Sequence, residues 1–466
     1  MEYDLIVIGG GPGGYTAAIR GAQLGARVCL IEKDKLGGTC LNRGCIPTKA
    51  LHRTAEVLQN IKESAEFGIR SEGAQPDGVA IHERCEKISS QLRGGIEQLV
   101  KAHGVEYLAG TGRFVDKNTV KVTFPDGAER SITGKNIIVA TGSTPLVPPI
   151  PGLDLSGVMT SDDLLASSEI PASMVVIGGG VIGIEFASIY GAFGTKVTVV
   201  EMLPSVLAAL DSDITKRYSA ILKRKGIDIL TSAKVNSVTK SESGLKVSAE
   251  GPKGSVEIEA QKVLVAIGRK AEVSGLDLAA AGVVFEKRGV VTDENCRTNQ
   301  DGIYSIGDVN GGIMLAHWAA HQGILVAEQV CGKDSGHGNS PVPGCIFAFP
   351  EIATAGLTEA EAVKQYEGIK TSKFMFGANG KALAMGESEG FVKVVADRDG
   401  RLLGVHIMGP HASDLIAEGV LAIAQGLTAK ELGKVIHAHP TLGESLHEAI
   451  EGIEGLAIHQ APARKR

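Results

Sequence analysis

The chain has 466 residues, which at roughly 150 residues per domain corresponds to about three domains. Hydrophobic residues make up 43% of it and charged residues 21%, so a large core is available and extensive disorder is excluded. The net charge is −6 and the only basic cluster is the terminal Arg464-Lys465-Arg466, so we expect no nucleic-acid partner. Because no apolar run is long enough to span a bilayer and no secretory leader precedes the first apolar run, we expect no membrane partner.

The first predicted element is a strand–turn–helix–strand unit over residues 6–32, and residues 175–201 repeat it. The two segments align without gaps and share ten identities in 27 positions. In each, a β-branched run leads into G-x-G-x-x-G, an apolar helix and a second strand that ends in Glu32 or Glu201. A glycine-rich turn without function is the alternative. A strand, helix and glutamate in register twice favour two bound dinucleotides.

Each glycine of these two turns has a predicted role. The first makes the tight turn, the second lets the backbone approach a pyrophosphate, and the third lets the helix pack on the strand. They are Gly9, Gly11 and Gly14 in the first unit, and Gly178, Gly180 and Gly183 in the second. We expect Glu32 and Glu201 to accept hydrogen bonds from ribose hydroxyls. The charge of Glu201 should also repel a 2′-phosphate, which favours NAD over NADP, and a flavin is the natural second dinucleotide.

A cysteine pair follows the first unit, in the stretch GGTCLNRGCIPTK over residues 37–49. Cys40 and Cys45 precede Pro47, which is favourable near a helix start. A helix N-terminus lowers the pKa of a thiol, so we expect Cys45 to persist as a thiolate. A metal site or an inert buried pair is the alternative, but no further ligands lie in sequence range. Only seven cysteines occur in the chain, which favours a reducing, cytoplasmic location and a redox role for this pair.

Between the two units the sequence predicts a helix over residues 79–103 and strands over residues 105–140, followed by a proline-rich linker. The helix carries an apolar stripe that we expect to be buried, comprising Ile81, Cys85, Ile88, Leu92, Ile96 and Leu99. After the second unit, Gly, Ser and Pro in residues 334–344 indicate a boundary, and a mixture of strands and helices follows. The predicted class is α/β, with two Rossmann-like dinucleotide-binding domains and an α+β C-terminal domain.

Residues 436–450 contain His437, His439, His447 and Glu444. Thr441 and Glu444 have the spacing of a capping box, which alone would explain the glutamate. The histidines could suggest a metal site, but no spacing typical of zinc sites supports it, and we expect no metal. A group that takes a proton from a dithiol is most readily a histidine.

The stretch GGTCLNRGCIPTK is very similar to the active-site stretch of the flavin-dependent pyridine nucleotide–disulfide oxidoreductases, and the resemblance extends over essentially the whole chain. Within that family it resembles the enzymes that oxidise protein-bound dihydrolipoyl groups more than those that reduce glutathione or mercuric ion. The resemblance implies FAD on the first unit, NAD on the second, and a homodimer formed through a C-terminal dimerisation domain. It divides the chain into an FAD-binding domain (1–145 and 271–340), an NAD-binding domain (146–270) and a dimerisation domain (341–466).

The resemblance also implies roles for the site residues. Cys40 would be the interchange thiol, and Cys45 would lie against the flavin. His439, with Glu444, would be the catalytic base for the cysteine pair of the other subunit. The partners would be the lipoyl domains of a 2-oxoacid dehydrogenase or glycine cleavage complex.

Further cofactor contacts are implied less sharply. Lys49, paired with Glu185, would lie beside the flavin. The other implied FAD contacts are Gly112, Thr141, Gly142, Ser143, Asp308, Met314, Leu315, Ala316 and His317. Val235 and Gly268 would contact NAD. The chain departs from the family's usual sequence at 318–321, 269–271 and 347–351, and none of these changes touches the cysteine pair or His439.

Two other functions stay open at this point. One is a related flavoprotein that acts on another low-molecular-weight disulfide. The absence of an arginine near Glu201 that could bind a 2′-phosphate argues against an NADPH-dependent reductase of this kind. The other is a flavoprotein subunit with a mainly structural role, which would have no need of Cys40, Cys45 and His439 together.

Overall fold

The computed structural model describes residues 2–242, 244–333 and 340–461. It divides into two compact units. The first comprises the described residues of Met1–Pro171 and Lys262–His337, and the second those of Ala172–Gln261 and Gly338–Arg466. The predicted boundary over 334–344 lies mostly outside the described residues, and the cluster Arg464–Arg466 lies entirely outside them. Among the described residues, no helix combines the length and the apolar character needed to cross a bilayer.

The strands of the first unit are β1 (Glu2–Ile8), β2 (Val28–Glu32), β3 (Glu106–Ala109), β4 (Thr111–Phe114), β5 (Thr119–Thr123), β6 (Glu129–Val139), β7 (Ser143–Pro145), β8 (Val158–Thr160), β15 (Lys262–Val265), β16 (Arg269–Ala271), β17 (Phe285–Glu286), β18 (Gly289–Val290) and β19 (Ile303–Ser305). Its helices are α1 (Pro12–Gln23), α2 (Gly38–Arg43), α3 (Cys45–Lys62), α4 (Gly78–Ala102), α5 (Ser161–Leu165) and α8 (Ala316–Val330). Single 3-10 turns occupy Ser64–Phe67, Leu278–Ala281 and Gly307–Asn310.

The strands of the second unit are β9 (Ser173–Ile177), β10 (Lys196–Val200), β11 (Asp228–Leu230), β12 (Lys234–Ser241), β13 (Gly244–Gly251), β14 (Gly254–Ala260), β20 (Gly344–Ile346), β21 (Glu351–Gly356), β22 (Lys370–Met375), β23 (Phe391–Ala396) and β24 (Leu402–Gly409). Its helices are α6 (Val181–Phe193), α7 (Ser212–Arg224), α9 (Glu359–Gln365), α10 (Gly380–Met385), α11 (Ala412–Ala424), α12 (Ala429–Leu432) and α13 (Glu444–Glu451). The 3-10 turns here are Phe376–Ala378 and Gly452–Glu454.

The main sheet of the first unit has a parallel part and an antiparallel extension. Strands β3, β2, β1 and β6 lie side by side in that order and run parallel. The C-terminal half of β6 pairs with β19, and its N-terminal half pairs with β5, which continues to β4. Alternate residues of β1 enter opposite cores, with Leu5 and Val7 on the side of α1 and Ile6 and Ile8 on the other. Burial of both faces is typical of a parallel sheet covered on both sides.

The second unit contains the repeat of the strand–helix–strand unit and the C-terminal sheet. Strands β9, β10 and β11 run parallel, with α6 connecting the first two. Strands β12, β13 and β14 form an antiparallel sheet. The C-terminal part is a five-stranded antiparallel sheet in the order β20-β21-β24-β23-β22, whose core is shared with α11 and α13. The predicted α/β class, with two Rossmann-like domains and an α+β C-terminal domain, is therefore confirmed.

The predicted stripe on α4 is confirmed only in part. Ile81 and Cys85 are buried and Ile96 packs partly buried against the core, but Leu92 and Leu99 are 44% and 51% exposed. In the middle of the helix the buried Ser89 and the 15% exposed Arg93 turn inward, each one position after a residue of the predicted stripe. Periodicity locates an apolar face but does not say where the neighbouring elements end.

Candidate active site

The first dinucleotide turn joins β1 to α1. Gly9 has a φ of 111°, and a Cβ there would lie 2.2 Å from the carbonyl oxygen of Ala140. A Cβ on Gly14 would lie 1.8 Å from the carbonyl oxygen of Gly9, so the helix can pack this closely only with glycine at that position. Gly11 is the N-cap of α1 and Pro12 is its first residue, which leaves the N–H groups of the first turn free to bind an anion.

The second turn, between β9 and α6, repeats this geometry. Gly178 also has a φ of 111°, and a Cβ on Gly183 would lie 2.0 Å from the carbonyl oxygen of Gly178. Gly180 is the N-cap of α6, and among the described residues other than its chain neighbours no heavy atom lies within 4 Å of the position that its Cβ would take. Open space in front of a helix N-terminus fits the approach of a pyrophosphate.

Glu32 and Glu201 make the same hydrogen bonds in the two units. Glu32 accepts from the N–H of Gly10 at 2.6 Å and from that of Asp34 at 2.7 Å. Glu201 accepts from the N–H of Gly179 at 2.5 Å and from that of Leu203 at 2.7 Å. These bonds to backbone N–H groups, which fix each turn, were not predicted from the sequence. Each carboxylate oxygen retains acceptor capacity for a ribose hydroxyl, so both turns fit a bound dinucleotide.

Several residues predicted to contact FAD come together in the first unit. The hydroxyl of Ser143, on β7, donates to Asp308 Oδ2 at 2.5 Å and accepts from Arg269 Nε at 2.8 Å. The hydroxyl of Thr141 donates to the carbonyl oxygen of Glu272 at 2.7 Å. Arg269 was not predicted from the sequence as a site residue, yet it also donates to the carbonyl oxygen of Ser143 at 2.8 Å.

The remaining predicted cofactor residues lie on both units. In the first unit, Gly112 lies on β4 beneath Ile8 and Ile31, Gly142 joins β6 to β7, and Gly268 precedes β16. Leu315 is the N-cap of α8, so Met314, Leu315, Ala316 and His317 span its start. Within α8 the rings of Trp318 and His321, which replace the usual family residues, stack with centroids 5.4 Å apart. In the second unit, Val235 is buried on β12.

Lys49 and Glu185 belong to different units, Lys49 to the first and Glu185 to the second. Glu185 lies on α6, is 6% exposed and accepts from the backbone N–H of Phe347 at 2.9 Å. Because Phe347 takes part through its backbone, the altered side chain at that position leaves this hydrogen bond intact.

The cysteine pair lies where α2 meets α3. Cys40 is in α2 and Cys45 is the first residue of α3, two residues earlier than the start at Pro47 that the sequence suggested. A Cβ on the intervening Gly44 would lie 2.9 Å from the carbonyl oxygen of Thr39, so glycine allows the two helices to meet this closely. The two cysteines form no disulfide in this structure, and the hydrogen bond from Cys40 to Cys45, together with burial, raises the pKa of Cys40. When the pair holds one proton, this favours Cys40 as its carrier and Cys45 as the thiolate.

His439 and Glu444 form a dyad in the second unit. His439 Nδ1 lies 2.8 Å from Glu444 Oε1, and the imidazole is 78% exposed. Glu444 Oε2 accepts from the backbone N–H of Thr441 at 2.8 Å. Burial opposes ionisation of Glu444, but these bonds from Thr441 and His439 lower its pKa below the usual value. The carboxylate therefore orients the imidazole and leaves its second nitrogen free to accept a proton.

The capping-box alternative for Glu444 is confirmed only in part: its carboxylate accepts from the N–H of Thr441, as in a capping box, but Thr441 does not cap the helix. Glu444 is the first residue of α13, after Gly443 as its N-cap, and not the third residue. The hydroxyl of Thr441 donates to the carbonyl oxygen of Ala438 at 2.7 Å instead of capping the helix. The nearby His437 is held by Glu418, with His437 Nε2 2.9 Å from Glu418 Oε1, and its ring packs against that of His447.

Comparison with known proteins places the chain in a family. Residues 3–323 match the pyridine nucleotide-disulphide oxidoreductase family, and residues 342–450 match its dimerisation domain, which supports the predicted homodimer. Dihydrolipoyl dehydrogenase of Bacillus subtilis (strain 168) is 43% identical, over 98% of this chain and 99% of the relative. That of Geobacillus stearothermophilus is 41% identical, over 98% of each.

Solved structures show the same relationship. LpdA of Mycobacterium tuberculosis has a TM-score of 0.89 at 27% identity and covers 96% of this chain and 99% of its own. The HOCl-induced flavoprotein disulfide reductase RclA of Escherichia coli has a TM-score of 0.86 at 28% identity, over 96% and 99%. The predicted oxidoreductase activity and the predicted cofactors, FAD and NAD, are confirmed by these relationships. The chain belongs to the pyridine nucleotide-disulphide oxidoreductase family.

Proposed function

We propose that the chain is a dihydrolipoyl dehydrogenase, which oxidises protein-bound dihydrolipoyl groups to the lipoyl disulfide and passes the electrons through FAD to NAD. The observation that carries this proposal is the hydrogen-bonded pair of Cys40 and Cys45 beside the first dinucleotide turn. A Cβ on Gly38 of α2 would lie 2.7 Å from the Cα of Gly11, so the helix that holds Cys40 packs directly against that turn. Relatives of this activity at 43% and 41% identity support the proposal.

In the proposed reaction His439 accepts a proton from one thiol of the substrate. The resulting thiolate attacks Cys40, which breaks its bond to Cys45, forms a mixed disulfide and releases Cys45 as a thiolate. The second substrate thiol then closes the lipoyl ring and leaves Cys40 reduced. Two electrons and two protons have then passed from the substrate dithiol to the protein. When bound, FAD supplies the acceptor for these electrons and the hydride donor for NAD.

The two turns would hold the two cofactors. The residues proposed for FAD are Gly9, Gly11, Gly14, Glu32, Lys49, Gly112, Thr141, Gly142, Ser143, Asp308, Met314, Leu315, Ala316 and His317. Those proposed for NAD are Gly178, Gly180, Gly183, Glu201, Val235 and Gly268, and Glu185 would pair with Lys49. The proposed domains keep their boundaries at 1–145, 146–270, 271–340 and 341–466.

The proposed assembly is a homodimer in which His439 and Glu444 of one subunit act on the cysteine pair of the other. The exposed imidazole of His439, which belongs to the second unit whereas Cys40 and Cys45 belong to the first, supports this arrangement. The substrate partners would be lipoyl domains of a 2-oxoacid dehydrogenase or glycine cleavage complex. The small number of cysteines, none of which forms a disulfide in the described residues, supports a cytoplasmic location.

The experiment compares electron donors and acceptors for the purified holoenzyme. Dihydrolipoamide with NAD should be turned over at least about a hundredfold faster than either dihydrolipoamide with NADP or glutathione disulfide with NADPH. A second candidate, reduction of another low-molecular-weight disulfide, is favoured by the similarity to RclA. Faster turnover of glutathione disulfide than of dihydrolipoamide would select that candidate, and a colourless protein without bound flavin would exclude both.

A further inference from the structure

Asn42 lies between the two cysteines, and every part of its side chain is engaged. Its Nδ2 donates to the carbonyl oxygens of Leu36 at 3.0 Å and Gly38 at 2.9 Å. Its Oδ1 accepts from Arg93 Nη1 of α4 at 2.6 Å. An amide offers two hydrogens and one oxygen, so Asn42 ties the segment that leads into α2 to a second, distant helix.

Arg93 lies on α4 and makes the contact with Asn42 of α2. Its side chain is only 15% exposed, and it lies one position after Leu92 of the predicted stripe, on the inward face of the helix. The guanidinium also contacts Glu86, with Arg93 Nη2 3.2 Å from Glu86 Oε1. Burying most of a guanidinium is costly unless its hydrogens are paired, and a charged donor makes the bond to Asn42 stronger than a neutral one.

The same helix also contacts α3, which begins with Cys45. Arg84 Nη1 donates to the carbonyl oxygen of Ala50 at 3.1 Å, and the sulfur of Cys85 lies 3.8 Å from the carbonyl oxygen of Pro47. Helix α4 thus touches the helix that carries Cys45 near residue 84 and the helix that carries Cys40 at residue 93. At about 1.5 Å per residue, these contacts are spread over roughly 14 Å of one continuous helix.

A redox cysteine pair has little tolerance for displacement. A disulfide requires the two sulfurs to lie about 2.05 Å apart, whereas a hydrogen-bonded thiol pair spans roughly 1 to 2 Å more. Cys40 lies on α2, a helix of six residues, which is too short to be stable without contacts to other elements. The position of Cys40 relative to Cys45 therefore depends on what fixes α2.

We propose that Arg93, acting through Asn42, is a positioning residue that holds Cys40 at the distance from Cys45 at which disulfide and dithiol interconvert. The inference rests on the proposed redox role of this pair. Reduction of the disulfide by a dihydrolipoyl group transfers two electrons and two protons and yields two cysteine thiols. The disulfide tolerates a narrower range of sulfur–sulfur distances than the dithiol. Loss of the hydrogen bond between Arg93 and Asn42 should therefore disfavour the disulfide more than the dithiol.

The test measures the thiol–disulfide equilibrium of the pair in the FAD-containing enzyme against mixtures of dihydrolipoamide and lipoamide, by quenched alkylation and peptide mapping. Arg93→Met, which keeps the length of the side chain but removes the donor, should lower the equilibrium constant for disulfide formation about tenfold. For a two-electron couple this is roughly 30 mV. Arg93→Lys, which keeps a charged donor, should restore part of this shift.

Glu86→Gln is the matched control, because it removes the ion pair of Arg93 and leaves Asn42 untouched; it should leave the equilibrium unchanged. NADH oxidation by a quinone should be equal in all these enzymes. If Arg93→Met does not fold with FAD, Arg93→Leu, which also lacks a donor, is measured with the same expectation. An unshifted equilibrium in the folded variant, or an equal shift in Glu86→Gln, would overturn the inference. A wild-type pair that does not equilibrate with lipoamide at all would instead overturn the proposed function.

Discussion

The turn that begins α1 and the turn that begins α6 have the same backbone shape but different surroundings. In the first, a Cβ on Gly13 would lie 2.9 Å from the carbonyl oxygen of Ala319 on α8, and α2, the helix that carries Cys40, packs against Gly11. In the second, Ile182 replaces Gly13, and open space surrounds Gly180. The same strand–helix–strand unit thus forms an enclosed site in the first copy and an open site in the second. The difference comes from glycines that lie outside the shared G-x-G-x-x-G pattern.

The surroundings suggest different uses for the two turns. A ligand on the first turn would be enclosed by α8 and α2, as suits a resident cofactor that receives electrons from the cysteine pair. Around the second turn Val181 is 44% exposed and Met202 is 66% exposed, as suits a ligand that binds and leaves. The account therefore predicts that the two halves of the reaction can be separated by mutation.

The largest difference between the effects on the two half-reactions is expected from Cys45→Ser. It removes the thiol beside the first turn, so turnover of dihydrolipoamide should fall by on the order of 10³-fold or more. Oxidation of NADH by a quinone uses only FAD and the second turn and should persist. Steady-state assays of both reactions provide the measurement, with Cys331→Ser, a partly exposed cysteine at the end of α8, as the control. Equal loss of both activities would show that the halves are not separable.

A somewhat smaller separation is expected from His439→Gln. Loss of the proton acceptor should lower turnover of dihydrolipoamide by roughly 10²- to 10⁴-fold and leave quinone reduction unchanged. The matched control is His459→Gln, because His459 Nδ1 lies 2.7 Å from Glu448 Oε1 on the same helix, in a second histidine–glutamate pair. A change of less than threefold for His439→Gln, or an equal effect of the two variants, would remove His439 as the base.

Glu201→Ala acts on the second turn alone. The preference for NAD over NADP should fall by on the order of tenfold, because the negative charge near the 2′ position is lost. Affinity for NAD should also decrease, since the carboxylate fixes the backbone of Gly179 and Leu203. The ratio of kcat/KM for the two nucleotides measures the effect. If the ratio stays at the wild-type value, the carboxylate does not select the nucleotide.

The smallest predicted effect concerns stability in acid. The pKa of Glu444 is lowered in the folded state, so its contribution to stability is present above its unfolded value, 4.5, and is lost as the pH falls through the lower folded value. Glu444→Gln should therefore flatten the fall in melting temperature below about pH 4.5. Thermal melts from pH 3 to pH 7 test this, and parallel curves for the two proteins would mean that the dyad contributes nothing there.

Features of this site whose residues lie close together in the sequence were predicted better than contacts between residues far apart in it. The glycine turns and the cysteine pair were found because their partners lie within about thirty residues, where spacing alone fixes which groups meet. The contact of Arg93 with Asn42 spans 51 residues and depends on how α4 packs, which periodicity does not reveal. The capping box at Thr441 formed only in its carboxylate half, because the hydroxyl of Thr441 donates to Ala438, a bond that the spacing of Thr441 and Glu444 does not reveal.

The central claim is that electrons enter this protein through the Cys40–Cys45 bridge. The most direct measurement is an anaerobic titration of the oxidised holoenzyme with dihydrolipoamide, followed by alkylation and peptide mapping. The account predicts that one equivalent exposes two new thiols, both within residues 37–49, and that NAD then restores the oxidised pair. The account would be contradicted if new thiols appeared elsewhere in the chain. It would also be contradicted if dihydrolipoamide reduced NAD to NADH without exposing any new thiol.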